Sequence, residues 1–120
     1  VSDHTPNESE VKEVEFDHAA FGTIGLETLF LAFYQEAMNR KISNIDQLLS
    51  YNPANLVGLN MPTIGIGSEV KGILFQKVPA YSYAVDQIVG KSKNSAFLGY
   101  TFNHEILMVL NQHEIAYNNQ

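Results

Sequence analysis

The chain has 120 residues, 45% hydrophobic and 17% charged, with seven basic against thirteen acidic side chains and a formal net charge of -6. That length suits one ordinary domain, which buries roughly two thirds of the surface its unfolded chain exposes. The acidity argues against a protein that tracks a phosphate backbone, so nucleic acid is not an expected partner, and the lack of cysteine excludes a disulfide framework or a thiolate zinc site and agrees with a cytoplasmic protein. The longest apolar run, 29–34, is far short of the roughly 20 residues that cross a bilayer, so no membrane partner is expected either. The sequence opens at Val1, without Met or a signal-peptide pattern, as a piece of something longer would.

The first twenty residues are acidic, with Glu8, Glu10, Glu13, Glu15 and Asp17 against a single Lys12, and read as a solvated loop. From Gly25 the pattern changes. Leu26, Leu29, Phe30, Phe33, Ala37 and Met38 recur at three- and four-residue spacing and predict a helix over 24–39, closed by Asn39, Arg40 and Lys41. Ser43 and Asp46 form a capping-box-like start for a short second helix carrying Ile45, Leu48 and Leu49. Asn52 is placed to cap a third helix that begins at Pro53 and ends at Gly58. Beyond Pro62, β-branched and aromatic residues replace helix formers. Strands are expected at 63–66, 70–76, 81–85, 105–110 and 113–117, the last two joined by Asn111-Gln112 as a two-residue turn. The expected core is Leu26, Leu29, Phe30, Phe33, Ala37, Leu48, Leu49, Leu56, Ile73, Phe75, Leu107 and Val109, with Phe21 packing its ring and Tyr81, Tyr83 and Tyr100 serving strand packing.

Few residues announce chemistry by spacing. His4, His18, His104 and His113 are scattered, none paired as in a helical zinc site, and Gly65-Ile66-Gly67 lacks the third glycine and the following helix of a phosphate loop. No G-x-S-x-G elbow or cysteine nucleophile is present. Composition and spacing alone stop at an α+β segment. The informative stretch is Ser2-Asp3-His4-Thr5-Pro6, which reads as a buried strand breaking into a loop with a carboxylate at the strand's C-terminal tip, the place where catalytic groups stand in a (β/α)8 barrel.

Ser2-Asp3-His4-Thr5-Pro6-Asn7, the acidic loop, and Ala19-Ala20-Phe21-Gly22-Thr23-Ile24-Gly25-Leu26-Glu27-Thr28 resemble the last barrel strand and following loop of dihydroorotases, members of the amidohydrolase superfamily. Asn52-Pro53-Ala54 with its Gly58-Leu59 exit, the run Lys91-Ser92-Lys93-Asn94-Ser95-Ala96-Phe97-Leu98-Gly99 and the closing hairpin are similar to later parts of the same family. Ser-Asp-His-x-Pro alone also fits allantoinases and, more weakly, the hydantoinase-type dihydropyrimidinases, and the runs 22–28 and 91–99 tip the resemblance to dihydroorotases. The resemblance implies an α/β fold of which this chain is the C-terminal part: 1–60 the end of a (β/α)8 amidohydrolase barrel, 61–120 strands of a small β-sandwich, and α+β when seen alone.

What the resemblance implies for function follows residue by residue. Asp3 matches the carboxylate that coordinates the metal and serves as general acid and base, and His4 is placed to orient it. Asn7, Ala20 and Gly22 match the substrate-binding positions. Zinc is the implied cofactor, with its other ligands upstream, because it polarises a carbonyl and lowers the pKa of its bound water to about 7. The implied substrate is dihydroorotate or, in reverse, carbamoyl aspartate. The segment by itself is expected to catalyse nothing.

The departures are also readable. Asn7 stands where the family has a histidine facing the substrate carboxylate, which removes a charge-assisted hydrogen bond worth about 1 kcal/mol more than a neutral one. Ala20 replaces the usual Pro before Phe-Gly, Gly67-Ser68-Glu69-Val70-Lys71-Gly72 replaces a Gly-x-Asp-Ala-Asp-Leu motif, and Asn111-Gln112 replaces an Asn-Gly turn. These admit a second reading, a catalytically inactive scaffold partnering aspartate transcarbamoylase. A segment folding alone exposes faces its parent would cover, so self-association into a homo-oligomer is expected.

Overall fold

In the computed structural model, the described residues are 2–61, 63–112 and 114–119. They form an α+β arrangement. Helix α1 is Leu26–Asn39; a π-helical stretch, Gln47–Tyr51, runs directly into α2, Asn52–Leu56; and a three-stranded sheet has the order β1 (Val70–Ser82), β2 (Thr101–Gln112), β3 (Glu114–Asn118). Single 3-10 turns lie at Ser9–Val11, inside the acidic loop, and at Val85–Gln87. No described helix is long and apolar enough to cross a membrane.

The helix expected over 24–39 is present and begins at Leu26. The second and third helices are not separate. Asp46 and Asn52 both have αR backbone angles, so Asn52 continues a helix instead of capping one. Pro53 has no N–H to donate into the preceding turn, and its missing bond falls where the register passes from π to α. Gly58 takes the left-handed conformation expected at a helix end, with φ +72.

The strand expected at 63–66 does not form. Gly65 instead accepts from the Ser68 N–H at 3.1 Å across a turn in which Gly67 has φ +83. The strands read at 70–76 and 81–85 merge into one strand, β1, which runs through Pro79 and ends at Ser82, so residues 83–85 lie beyond it and Val85 opens a 3-10 turn. An edge strand tolerates proline, because one of its sides needs no ladder donors. The closing hairpin is present and antiparallel, with Val109 opposite Tyr117 and Asn111 opposite Glu114. The reversal therefore falls one residue later than Asn111-Gln112, and Gln112 takes φ +58 without the glycine that such angles favour. His113, read as the start of the last strand, lies outside the described residues.

Two compact units divide the chain. One takes the residues up to Phe33 together with Ala80–Asn103, the other Tyr34–Pro79 with the residues from His104 onward. In the first, Ile24, Thr28, Leu31, Tyr83, Ile88, Ser95 and Phe102 are buried. Phe102 packs its ring against Tyr83 edge-on at 5.8 Å and against Tyr100 at 5.0 Å, while Phe97 meets Tyr100 edge-on at 5.6 Å. The tyrosines thus pack, as expected. In the second unit Ala37 and Ala54 are buried, and Tyr34 stands edge-on to Phe75 at 4.8 Å and to His104 at 4.9 Å. Burial, then the nearby Lys77 charge, holds the His104 imidazole below its ordinary pKa.

The expected core needs correction. Of its members only Ala37 is fully buried; Leu26 is 61% exposed and Leu56 88%, Leu29, Leu48 and Ile73 are also exposed, and Phe30, Phe33, Leu49, Phe75, Leu107 and Val109 are half-buried. Within α1 the buried positions Thr28 and Leu31, three residues apart, lie beside the expected stripe, and Ile24 is buried just before the helix in its bridge to Ser95. Apolar periodicity marks a face that gains from burial, without saying that the covering layer belongs to the same chain.

Tyr83 is 6% exposed, and its hydroxyl has no hydrogen-bond partner among the described residues. Burial, then the Glu27 and Tyr81 charges, pushes it from 10.0 up to about 12. The unfolded chain then ionises first as pH rises, so stability present below pH 10 is lost progressively towards pH 12. We predict that Tyr83→Phe equals or exceeds the parent in urea-unfolding stability at pH 7, by up to about 1 kcal/mol, because it removes an unsatisfied buried hydroxyl. The variant should also lose part of the alkaline decline, read from the same unfolding curves at high pH.

Candidate functional site

The first unit brings together three of the stretches that carry the resemblance, 2–7, 19–28 and 91–99. Short parallel bridges pair His4 with Thr23 and Ile24 with Ser95. The Thr5 N–H donates to the Thr23 carbonyl at 2.9 Å, and the Ile24 N–H donates to the Asn94 carbonyl at 2.9 Å. Thr23 reinforces the second contact on both sides, since its hydroxyl donates to the Asn94 carbonyl and accepts from the Ala96 N–H, each at 2.9 Å. The Ser92 hydroxyl donates to the Asn7 carbonyl at 2.6 Å. Glu27, in the first turn of α1, accepts the N–H groups of Val89 and Gly90 on its two carboxylate oxygens, both at 2.9 Å. Charge-assisted bonds of this kind are worth about 1.5–3 kcal/mol each, so this carboxylate is a main tie between segments more than sixty residues apart in sequence.

Asp3 is exposed and has φ +48, a left-handed conformation that costs a non-glycine residue about 1 kcal/mol or more, though Asp adopts it more readily than most. Its carboxylate accepts no hydrogen bond among the described residues, and its carbonyl receives the Thr5 hydroxyl at 3.4 Å. His4 does not bond to Asp3. Its Nδ1 accepts from the Gly25 N–H at 3.1 Å and the Leu26 N–H at 3.4 Å, which fixes the start of α1 and leaves Nε2 as the nitrogen that carries hydrogen.

The segment 20–22 is held by its carbonyls. Lys12 donates its ammonium to the carbonyls of Ala20 and Gly22, the latter at 2.6 Å. Asn7 donates its side-chain amide to the Phe21 carbonyl at 2.9 Å, and Asn94 donates to the Gly22 carbonyl at 3.1 Å. The Ala20 N–H is spent on the Val11 carbonyl at 3.0 Å. Gly22 has φ +98, and a Cβ there would stand 2.5 Å from the Thr5 Cβ. Only glycine fits. Phe21, expected to pack, is 92% exposed, because the bonds that fix its backbone place its ring outside the unit's core.

A groove of about 460 Å³ lies beside this loop, lined by Asn7, Glu8, Lys91, Ser92 and Lys93 among others. Asp3, Ala20 and Gly22 do not line it. The described residues do not by themselves fit a zinc ion, which takes four ligands. Asp3 is a lone exposed carboxylate. Among the described residues the only three ligand-type side chains drawn together are Glu15, Asp17 and His18, all exposed and apart from Asp3 in the chain's contacts.

Spacing did not single out Lys12, Glu27 or Asn94. Lys12 had one signal, being the sole basic side chain in the first twenty residues. Glu27 and Asn94 lie inside the two runs that carry the resemblance, yet nothing local says that they bond across the unit.

No family model matches the chain. Curated proteins do match it. It is 35% identical over 101 residues to a dihydroorotase of Caldicellulosiruptor saccharolyticus, covering 82% of this chain and 24% of that protein. It is 34% identical over 120 residues to a dihydroorotase of Carboxydothermus hydrogenoformans (97% of this chain, 28% of that protein) and 29% identical over 119 residues to one from Geobacter sp. strain M21 (97% and 28%). Over most of its length the chain is related to the dihydroorotases. It spans about a quarter of the length of these relatives. The likeness to dihydroorotases expected from the runs 22–28 and 91–99 is thereby found, and both runs lie in the segments that the hydrogen bonds above tie together.

We predict that Gly22→Ala, strained by its positive φ and its clash with Thr5, lowers unfolding stability by about 1–3 kcal/mol. Gly67→Ala has a similar φ but open space around it, and should cost less in the same urea titration.

Proposed function

We propose that this chain is the C-terminal portion of a dihydroorotase-like cyclic amidohydrolase, with 1–60 closing a (β/α)8 barrel and 61–120 contributing to a β-sandwich. The complete protein, in this reading, hydrolyses the ring amide of dihydroorotate to carbamoyl aspartate and runs the reverse closure in pyrimidine biosynthesis. The observation that carries the reading is the stitching of the Asp3 segment, the 19–28 loop and the 91–99 run into one unit, in a chain whose relatives are dihydroorotases.

The chemistry assigned to the chain rests on Asp3. Its carboxylate is exposed and, among the described residues, accepts no bond that would compete with an incoming proton. As water oxygen adds to the ring carbonyl carbon, Asp3 takes a proton from that water. It returns the proton to the ring nitrogen as the C–N bond breaks, leaving a new carboxylate and a free ureido nitrogen. Zinc in this reading takes its remaining ligands from outside these residues. His4 keeps the loop seated through the Gly25 and Leu26 N–H groups, and so acts on Asp3 through the backbone.

One observation favours a second reading. Asn7 occupies the position of a substrate-facing histidine in the resemblance, yet its amide is committed to the Phe21 carbonyl. A protein that lacks this contact is compatible with an inactive relative kept as a structural partner, aspartate transcarbamoylase being the candidate. The two readings part on one assay. In the complete natural polypeptide that carries these residues, Asp3→Asn is expected to lower kcat for dihydroorotate hydrolysis by about 10²–10⁴-fold while leaving the unfolding midpoint nearly unchanged. A wild-type protein that loads zinc and still turns over no dihydroorotate would favour the scaffold.

A further inference from the structure

We propose that Glu27 is a positioning residue for the Asp3 loop, acting through the 89–92 segment and the Ser92 hydroxyl on the carbonyl of Asn7. The proposal rests on the dihydroorotase-like reading for the part Asp3 plays, and on geometry for the rest.

The loop that carries Asp3 is held at both ends, and both holds trace to the start of α1. At the near end, His4 Nδ1 accepts from the Gly25 and Leu26 N–H groups, and the Thr5 N–H donates to the Thr23 carbonyl. At the far end, the Asn7 carbonyl accepts the Ser92 hydroxyl at 2.6 Å. Ser92 lies two residues beyond Gly90, whose N–H is bound together with that of Val89 by the Glu27 carboxylate, each at 2.9 Å. The Lys93 ammonium closes the same segment on itself by donating to the Ile88 carbonyl at 2.6 Å. Glu27 therefore reaches Asn7 in three steps: carboxylate to backbone, two residues of chain, hydroxyl to carbonyl.

A carboxylate suits the first step, because its two oxygens meet two adjacent N–H groups and its charge strengthens both bonds. Gly90 gives it room, since a Cβ there would stand 3.0 Å from Glu27 Oε1. Asp3 needs the last step. Its φ of +48 is a conformation that a non-glycine residue keeps only where its surroundings over-determine it, and its own carboxylate adds no bond among the described residues. Between Asn7 and Asp3 the chain is stiff, because the Pro6 ring fixes its own φ and restricts Thr5. A shift of the Asn7 carbonyl is thus passed towards Asp3 with little absorbed on the way.

The test uses the complete 15N-labelled polypeptide, comparing wild type, Glu27→Gln, Ser92→Ala, Ser92→Thr and the double variant Glu27→Gln with Ser92→Ala. Glu27→Gln and Ser92→Ala should each lower the order parameter of the Asn7 amide from about 0.85 towards about 0.6. Each should also lower kcat for dihydroorotate hydrolysis by about tenfold with KM moving less, because a proton-transferring group held off its place costs the chemical step. Ser92→Thr, which keeps the hydroxyl, should recover most of both. Because the two residues act in series, the double variant should lose no more than about twofold beyond the worse single variant. An Asn7 amide that stays ordered in either single variant would overturn the relay, and so would kcat losses that multiply to about a hundredfold in the double variant. Falling order parameters with unchanged kcat would overturn its role toward Asp3. A wild-type protein without turnover would sink the functional reading instead, and the Asn7 order parameters would then decide the relay alone.

Discussion

A peptide plane cannot turn its carbonyl and its N–H to the same side, and this constraint organises the first unit of the molecule. Three consecutive carbonyls, Ala20 to Gly22, are bound by Lys12, Asn7 and Asn94. The clamp depends in turn on contacts that hold its arms: Ser92 on the Asn7 carbonyl, Ile24 and Thr23 on the Asn94 carbonyl, and Glu27 on the N–H groups of Val89 and Gly90. Loss of Lys12 frees the Ala20 carbonyl and loss of Asn7 the Phe21 carbonyl, while the Gly22 carbonyl keeps at least one of its two donors in either case.

The same contacts revise how the site residues divide their work. The Asn7 amide fixes the backbone at Phe21, and His4 fixes the start of α1. Gly22 keeps its expected place at the loop surface, because its positive φ and the close approach of Thr5 exclude a side chain. Asp3 combines a left-handed backbone with a carboxylate that accepts no hydrogen bond among the described residues. The polar side chains of the loop thus mostly organise the backbone.

Much of the architecture was legible because it is local. Helix α1 follows from a stripe of Leu, Phe and Ala at helical spacing, Gly58 from the need for a left-handed helix end, and the closing hairpin from alternating strands around a short turn. What was not legible depends on partners distant in sequence. Whether Leu26 or Leu31 is covered is decided by what packs on each face of α1, and the stripe alone does not rank them. Pro53 and Pro79 look like breaks locally, yet one is absorbed by a π register and the other by an edge strand. The bond from Asn94 to Gly22 spans seventy-two positions, and no spacing rule reports it. The motif runs were legible as a resemblance, but why Lys12 belongs with them required the fold.

The central claim is that the bonds from Lys12, Asn7 and Asn94 to the carbonyls of residues 20–22 fix this loop within the unit that carries the likeness to dihydroorotases. The most direct measurement is the 15N order parameter of the Phe21 and Gly22 amides in the complete polypeptide, wild type against Lys12→Met. The account predicts values of about 0.85 in the wild type that fall towards about 0.6 or below in the variant. Unchanged values in the variant would contradict it.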